Sequence, residues 1–133
     1  ELVACIEAQP DFLECYNLYG DFLRKTERPK KAGEIYRRAL DRWPKDGELR
    51  VSYALLLQES GQVEAALEVL SDLTREQPGY ARGHWHLATT LYESGGDRTL
   101  ALHEAKWALR LDPLIWNAKQ FLELLGDAET PIN

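Results

Sequence analysis

The sequence has no methionine and only two cysteines, Cys5 and Cys15, which form no C-x-x-C pair. A zinc ribbon or a dithiol redox motif is thereby excluded, and the two thiols are expected to be buried structural residues rather than a disulfide or a ligand pair. Histidine is equally sparse. His84 and His86 flank Trp85, but residues two apart on an α-helix point about 200° from one another, so the two cannot share one metal ion; His103 is the third, and there is no H-E-x-x-H. Also missing are G-x-S-x-G, a P-loop and a strand-borne dinucleotide glycine fingerprint, and the carboxylates are scattered at helix-surface spacing. The expectation is no catalytic residue, no metal site and no cofactor. No apolar run approaches the roughly 18 residues of a membrane span, so no membrane insertion is expected from this chain. There is no initiator Met and no basic-then-apolar leader, and Glu1 opens what reads as the middle of a helix, so the chain is expected to be a piece of a longer protein.

What is present is an ordinary folded composition, 44% hydrophobic and 29% charged over 133 residues, with an uneven charge. Between Arg24 and Lys45 nine Lys and Arg stand against three acids, a local +6 within a total of -6. An acidic protein with one basic segment is not expected to coat nucleic acid, although the segment offers a dock for an acidic partner or RNA. Against RNA stands the lack of an aromatic platform interleaved with those charges.

Four prolines, Pro10, Pro44, Pro78 and Pro113, are spaced by 34, 34 and 35 residues. Alignment on them sets "LLLQESGQVEAAL" over "TLYESGGDRTLAL", with one residue inserted at Gly95-Gly96. Each unit reads as two helices: Leu49, Tyr53, Leu56 and Leu57 recur at helical spacing before Ser60-Gly61, and Ala66, Leu67, Leu70 and Leu73 repeat the pattern up to Pro78. Asp11 with Glu14 has capping-box spacing, Asp46 and Asp97 are candidate caps, and Pro29 suits a first turn. Strand-like alternation of useful length is absent, so the fold class is all-α.

The register carries a family resemblance. Large, large, small and large residues recur as Tyr16, Tyr19, Gly20, Leu23; as Arg50, Tyr53, Ala54, Leu57; and as His84, Leu87, Ala88, Leu91. Second helices supply Ala32, Tyr36, Ala39 and Pro44, then Ala66, Leu70, Leu73 and Pro78, then Ala101, Ala105, Ala108 and Pro113. This pattern resembles the tetratricopeptide repeat (TPR) family, with "YNLYGDFL" and "EIYRRAL" also resembling its half-a-TPR variant. The resemblance implies a right-handed α-solenoid of antiparallel helix pairs in a single array: 1–10 the end of a preceding repeat, 11–44, 45–78 and 79–113 three repeats, 114–126 a C-terminal capping helix and 127–133 a tail. Small residues at Gly20, Ala54 and Ala88 would let the helices of a pair approach.

It also implies the functional surface. First helices of such arrays line a concave groove that takes up a peptide or helix of a partner protein. The groove positions carried over are Asn17, Asp21, Arg24, Val51, Leu55, Gln58, Arg82, Trp85, His86, Thr89 and Tyr92, with Glu14 and Glu48 at their ends. Trp85, Tyr92, Leu55 and Val51 are the expected apolar anchors, and Trp85 is equally open to packing against an adjacent helix. Some family members grip a C-terminal carboxylate with a clamp of Lys, Asn and Arg, but here Asn17 stands for the Lys, Asp21 and Ser52 for Asn, and His86 for Arg or Lys. Only Arg82 agrees, so that ligand is not expected. Lys31, Arg38 and Arg42 are expected on the convex side, and an alternative role is that of a structural spacer or a self-association element acting through the N-terminal helix edge.

Overall fold

A computed structural model of the chain describes residues 2–9, 11–115 and 117–126, so Pro10 and the expected tail at 127–133 lie outside the described residues. Among the described residues there are eight α-helices and no strand. They divide between two compact units, Glu1–Gln62 and Val63–Asn133. The first holds α1 (Leu2–Ala8), α2 (Leu13–Lys25), α3 (Pro29–Arg42) and α4 (Gly47–Glu59); the second holds α5 (Val63–Glu76), α6 (Ala81–Glu93), α7 (Arg98–Leu111) and α8 (Ala118–Leu124).

Local chemistry explains the helix ends. The Asp46 carboxylate accepts from the Leu49 amide at 3.0 Å, and that of Asp97 from the Leu100 amide at 3.1 Å, each satisfying a first-turn donor. Pro29 is the first residue of α3, where its missing N–H costs nothing. The capping box expected at Asp11 does not form. Helix α2 begins at Leu13 behind Phe12 with no side-chain cap, and the Asp11 carboxylate pairs instead with the Arg42 guanidinium at the end of α3.

Three helices close in one way. After α4, Gly61 has φ +82°, its amide donates to the Gln58 carbonyl and the Gln62 amide to that of Leu57. The same pair of bonds closes α6 at Gly95, φ +72°, and closes α2 at Glu27, φ +60°. These are left-handed caps, for which glycine is the unstrained residue. The inserted glycine lengthens the α6–α7 connection to Ser94–Asp97, against Ser60–Gln62 between α4 and α5.

In the first unit, α2 and α3 meet where Gly20 faces Tyr36: a Cβ on Gly20 would lie within 3 Å of three atoms of the Tyr36 ring. Cys15, Tyr16, Leu23, Ala32, Tyr36, Ala39 and Leu49 form the core around this contact. Each fully buried leucine there contributes about 1.5–3 kcal/mol over exposure. The structure also joins Cys5 to Cys15 in a disulfide, correcting the expectation of unpaired thiols. The reason is tertiary: packing of α1 on α2 brings the two Cα atoms to 5.8 Å, within bridging range. A seven-residue helix has little stability of its own, so α1 depends on this bond and on buried Ile6.

In the second unit Ala88 on α6 and Ala101, Ala105 and Ala108 on α7 are all buried and keep the α6–α7 seam narrow. Helix α8 is held at its C-terminal end by Arg98 of α7, whose guanidinium donates to the Leu124 carbonyl at 2.9 Å and the Leu125 carbonyl at 3.3 Å. A cation at that end of a helix satisfies orphan carbonyls and opposes the helix dipole.

Candidate partner-binding faces

Position 84 follows from the 34-residue register. Arg50 and His84 occupy equivalent places and make equivalent bonds: Arg50 Nε donates to the Pro44 carbonyl at 2.9 Å, and His84 Nε2 lies 2.7 Å from the Pro78 carbonyl. The other ring nitrogen, Nδ1, lies 2.5 Å from Glu104 Oε2 on α7. Both nitrogens face acceptors, so the ring satisfies both only as the imidazolium. The Glu104 hydrogen bond raises the His84 pKa above the usual histidine value; burial opposes this and the Pro78 carbonyl adds to it. His84 is buried and stacks on Trp107, so it is a packing residue.

On the first unit Asn17, Asp21 and Arg24 of α2 are half-buried, as are Leu55 and Gln58 of α4, while Val51 is only 1% exposed. The two helices are tied across this face by polar bonds. Ser52 Oγ donates to Asn17 Oδ1 at 3.4 Å, and Arg24 Nη1 to Glu59 Oε2 at 3.0 Å. Asp21 is engaged from behind: the Tyr36 hydroxyl, on a buried ring of α3, donates to its Oδ1 at 2.5 Å. Asn17, Asp21 and Arg24, expected on the binding surface, are therefore bonded within the unit, and Val51 lies in its interior. Glu14 is exposed at one end and Glu48 half-buried.

On the second unit Arg82 is exposed, Trp85, His86 and Thr89 are half-buried, and Tyr92 is 38% exposed. The Thr89 hydroxyl donates to the His86 carbonyl at 3.1 Å. The expected aromatic anchors are joined by a residue the sequence reading did not single out. Phe121 of α8 meets Trp85 edge-on at 5.2 Å between ring centroids and Tyr92 edge-on at 5.3 Å. Its only sequence signal is the apolar spacing of Phe121, Leu122 and Leu125, all buried. Of the basic residues expected on the outer side, Arg38 lies over the Tyr16 ring and Arg42 over Trp43, both 5.6 Å from the centroid, while Lys31 is exposed. Among the described residues no helix is long and apolar enough to cross a membrane.

The family profile described as tetratricopeptide repeat matches residues 23–91, more than half of the chain. The chain belongs to the tetratricopeptide repeat family. Over 68 residues it is 37% identical to a TPR repeat-containing protein of Dictyostelium discoideum, a match covering 46% of this chain and 26% of that one. Over 69 residues it is 39% identical to cell division cycle protein 27 homolog A of Arabidopsis thaliana, covering 52% and 10%. The chain thus spans a small part of the length of these curated relatives. Among solved structures it resembles PilF of Pseudomonas aeruginosa (TM-score 0.82, 20% identity, 96% of this chain and 58% of that one). It also resembles the first TPR of Spaghetti bound to the HSP90 peptide SRMEEVD (0.76, 14%, 90% and 94%). A third likeness is the type III secretion chaperone SycD of Yersinia enterocolitica in complex with a peptide of the translocator YopD (0.74, 16%, 88% and 94%). At these identities the likenesses show the fold, the helix pairs of a TPR α-solenoid.

Proposed function

We propose that this TPR chain is a non-catalytic protein-interaction module of a larger protein, taking up a short peptide or helix of a partner on the face of α6. The observation that carries the reading is the aromatic face of α6. Tyr92 is 38% exposed and Trp85 half-buried, with Arg82 one turn ahead and exposed. Aromatic and arginine side chains at the edge of a desolvated patch are the residue types that dominate protein interfaces. Two proteins of the same fold are seen with peptides, Spaghetti with one from HSP90 and SycD with one from YopD, which supports the same class of ligand here.

The residues retained for this role are Arg82, Trp85, His86, Thr89 and Tyr92 of α6. Val51 drops out because it is buried. With Phe121 on Trp85 and Tyr92, the ligand lies beside α8 or displaces it. A carboxylate-clamp ligand is disfavoured, because the acid at Asp21 repels it and Asn17 and Ser52 are bonded to each other. The test is selection of peptides from a random library on the wild-type chain, followed by affinity measurement on Tyr92→Ala and Arg82→Glu chains of unchanged helicity. The reading predicts losses of about 10- to 100-fold, equivalent to about 1.4–2.8 kcal/mol. Selected peptides that bind both variants as tightly as wild type would overturn it.

A further inference from the structure

The basic residues between Arg24 and Lys45 take different roles in the structure. Three are engaged within the first unit: Arg24 bonds to Glu59, Arg38 lies over the Tyr16 ring, and Arg42 pairs with Asp11 and lies over Trp43. Lys25, Arg28, Lys30, Lys31 and Arg37 are instead all exposed, and their side chains have no bonding partner among the described residues. They gather around the turn from α2 to α3 and along the first part of α3. Glu27 and Glu34, the acids of the same stretch, are exposed as well and bond to none of them, so five cations stand against two acids. Charges of one sign held this close repel one another, and an anionic partner relieves the repulsion.

These cations border a cleft. Pro29 and Gly33 of α3 and Tyr53, Leu56 and Leu57 of α4 line a hollow of about 440 Å³, with Lys30, Glu34 and Arg37 on its α3 side. Gly33 keeps it open: a Cβ there would lie 3.3 Å from Arg37 Nη1 and 3.6 Å from Leu56 Cδ2. A second, adjoining hollow shares Pro29 and Lys30 and is bordered by Arg28 and Lys31. A space of this size holds one or two large side chains, and an apolar centre with a charged border is the anatomy of a protein–protein contact.

The charge spacing sets the order of groups in the ligand. Lys30 and Arg37 lie seven residues apart on one face of α3, about 10 Å along the axis, which an extended chain crosses in about three residues. Glu34 stands between them and repels an acid placed opposite it. The matching segment therefore carries two acids about three residues apart and a large apolar residue between them, facing Pro29, Leu56 and Leu57. RNA fits less well, because the aromatic residue of the lining, Tyr53, is half-buried edge-on to Tyr36, whereas bases need open rings to stack on.

We infer that the cleft between α3 and α4 is a second docking site, for a short acidic segment of a partner protein that sets a large apolar residue between two acids. It uses no residue of the α6 face, so the two readings stand or fall separately.

The test is selection of random peptides on the whole chain carrying Tyr92→Ala and Arg82→Glu, which disables the α6 face. Enrichment of the acid–apolar–acid order is the expected result. Affinity for those peptides should fall at least about 10-fold when Lys30→Glu and Arg37→Glu are added at unchanged helicity, and should fall again as salt rises from about 50 to about 500 mM. Lys30→Gln with Arg37→Gln should lose less, and reads the same charges if the reversal disturbs folding. An empty selection, peptides without an excess of acid, or equally tight binding to the reversed and neutralised chains overturns the inference. So does tighter binding of a short oligouridylate, or of phosphatidylserine vesicles, than of any selected peptide.

Discussion

The helix pairs α2–α3 and α6–α7 solve one problem with different chemistry. Each locks its first helix to its second through a short polar contact: the Tyr36 hydroxyl donates to Asp21 in the first pair, and His84 donates to Glu104 in the third, both at 2.5 Å. The aromatic contacts even exchange partners at equivalent places, Arg38 lying over Tyr16 in one pair and Trp107 stacking on His84 in the other. The difference lies in protonation. Burial, followed by the Asp21 hydrogen bond, raises the Tyr36 pKa, so its hydroxyl keeps its proton and that lock stays fixed at ordinary pH. The lock of the third pair needs a proton on His84 to satisfy both Glu104 and the Pro78 carbonyl. A shared register therefore dictates where two helices meet while leaving open whether the contact titrates.

The comparison breaks most visibly at Glu104. Replacing it by alanine leaves a buried His84 without its carboxylate, and removing one partner of a buried pair costs about 3–5 kcal/mol, to be read by urea unfolding. A loss under about 1 kcal/mol would mean the pair behaves as a surface contact. Next comes Gly20→Ala, whose new Cβ meets the Tyr36 ring; overpacking of that kind costs about 1–3 kcal/mol, and the loss should shrink when Tyr36→Leu is combined with it.

The pH profile sharpens the contrast further. Because His84 is raised in the folded chain, its contribution is complete below about pH 6.5 and is lost as pH rises through the folded pKa. Tyr36 adds no slope until about pH 9–10, where the unfolded phenol begins to ionise. The downward slope that sets in above about pH 6.5 should vanish in His84→Gln and persist in Tyr36→Phe. The smallest expected effect is a gain: Glu27 holds the left-handed cap that Gly61 and Gly95 hold elsewhere. Glu27→Gly should raise the unfolding free energy read by urea by about 1 kcal/mol, and no change would mean that this turn relaxes at no cost.

How far the sequence reveals all this depends on the reach of each interaction. The proline ruler, the small residues at Gly20, Ala54 and Ala88 and the caps at Asp46 and Asp97 were legible because each acts over a few residues or repeats with the register. Asp11 has the spacing of a cap but pairs with Arg42, thirty-one residues away, which no local pattern encodes. The Cys5–Cys15 bond depends on how α1 packs, and the surroundings of Trp85 depend on Phe121, thirty-six residues later. Of the expected binding residues, those on α6 keep a partly open face, whereas those on α2 are bonded within the first unit, because side-chain pairing between helices has no periodicity to read.

The central claim is that the α6 face takes up a peptide, and amide chemical-shift mapping tests it most directly. A selected peptide should be titrated into the isotopically labelled chain at a concentration where the chain is monomeric. Shifts concentrated from Arg82 to Tyr92 and around Phe121 are the predicted result. Shifts confined to the basic residues of α3, with α6 silent, would contradict it.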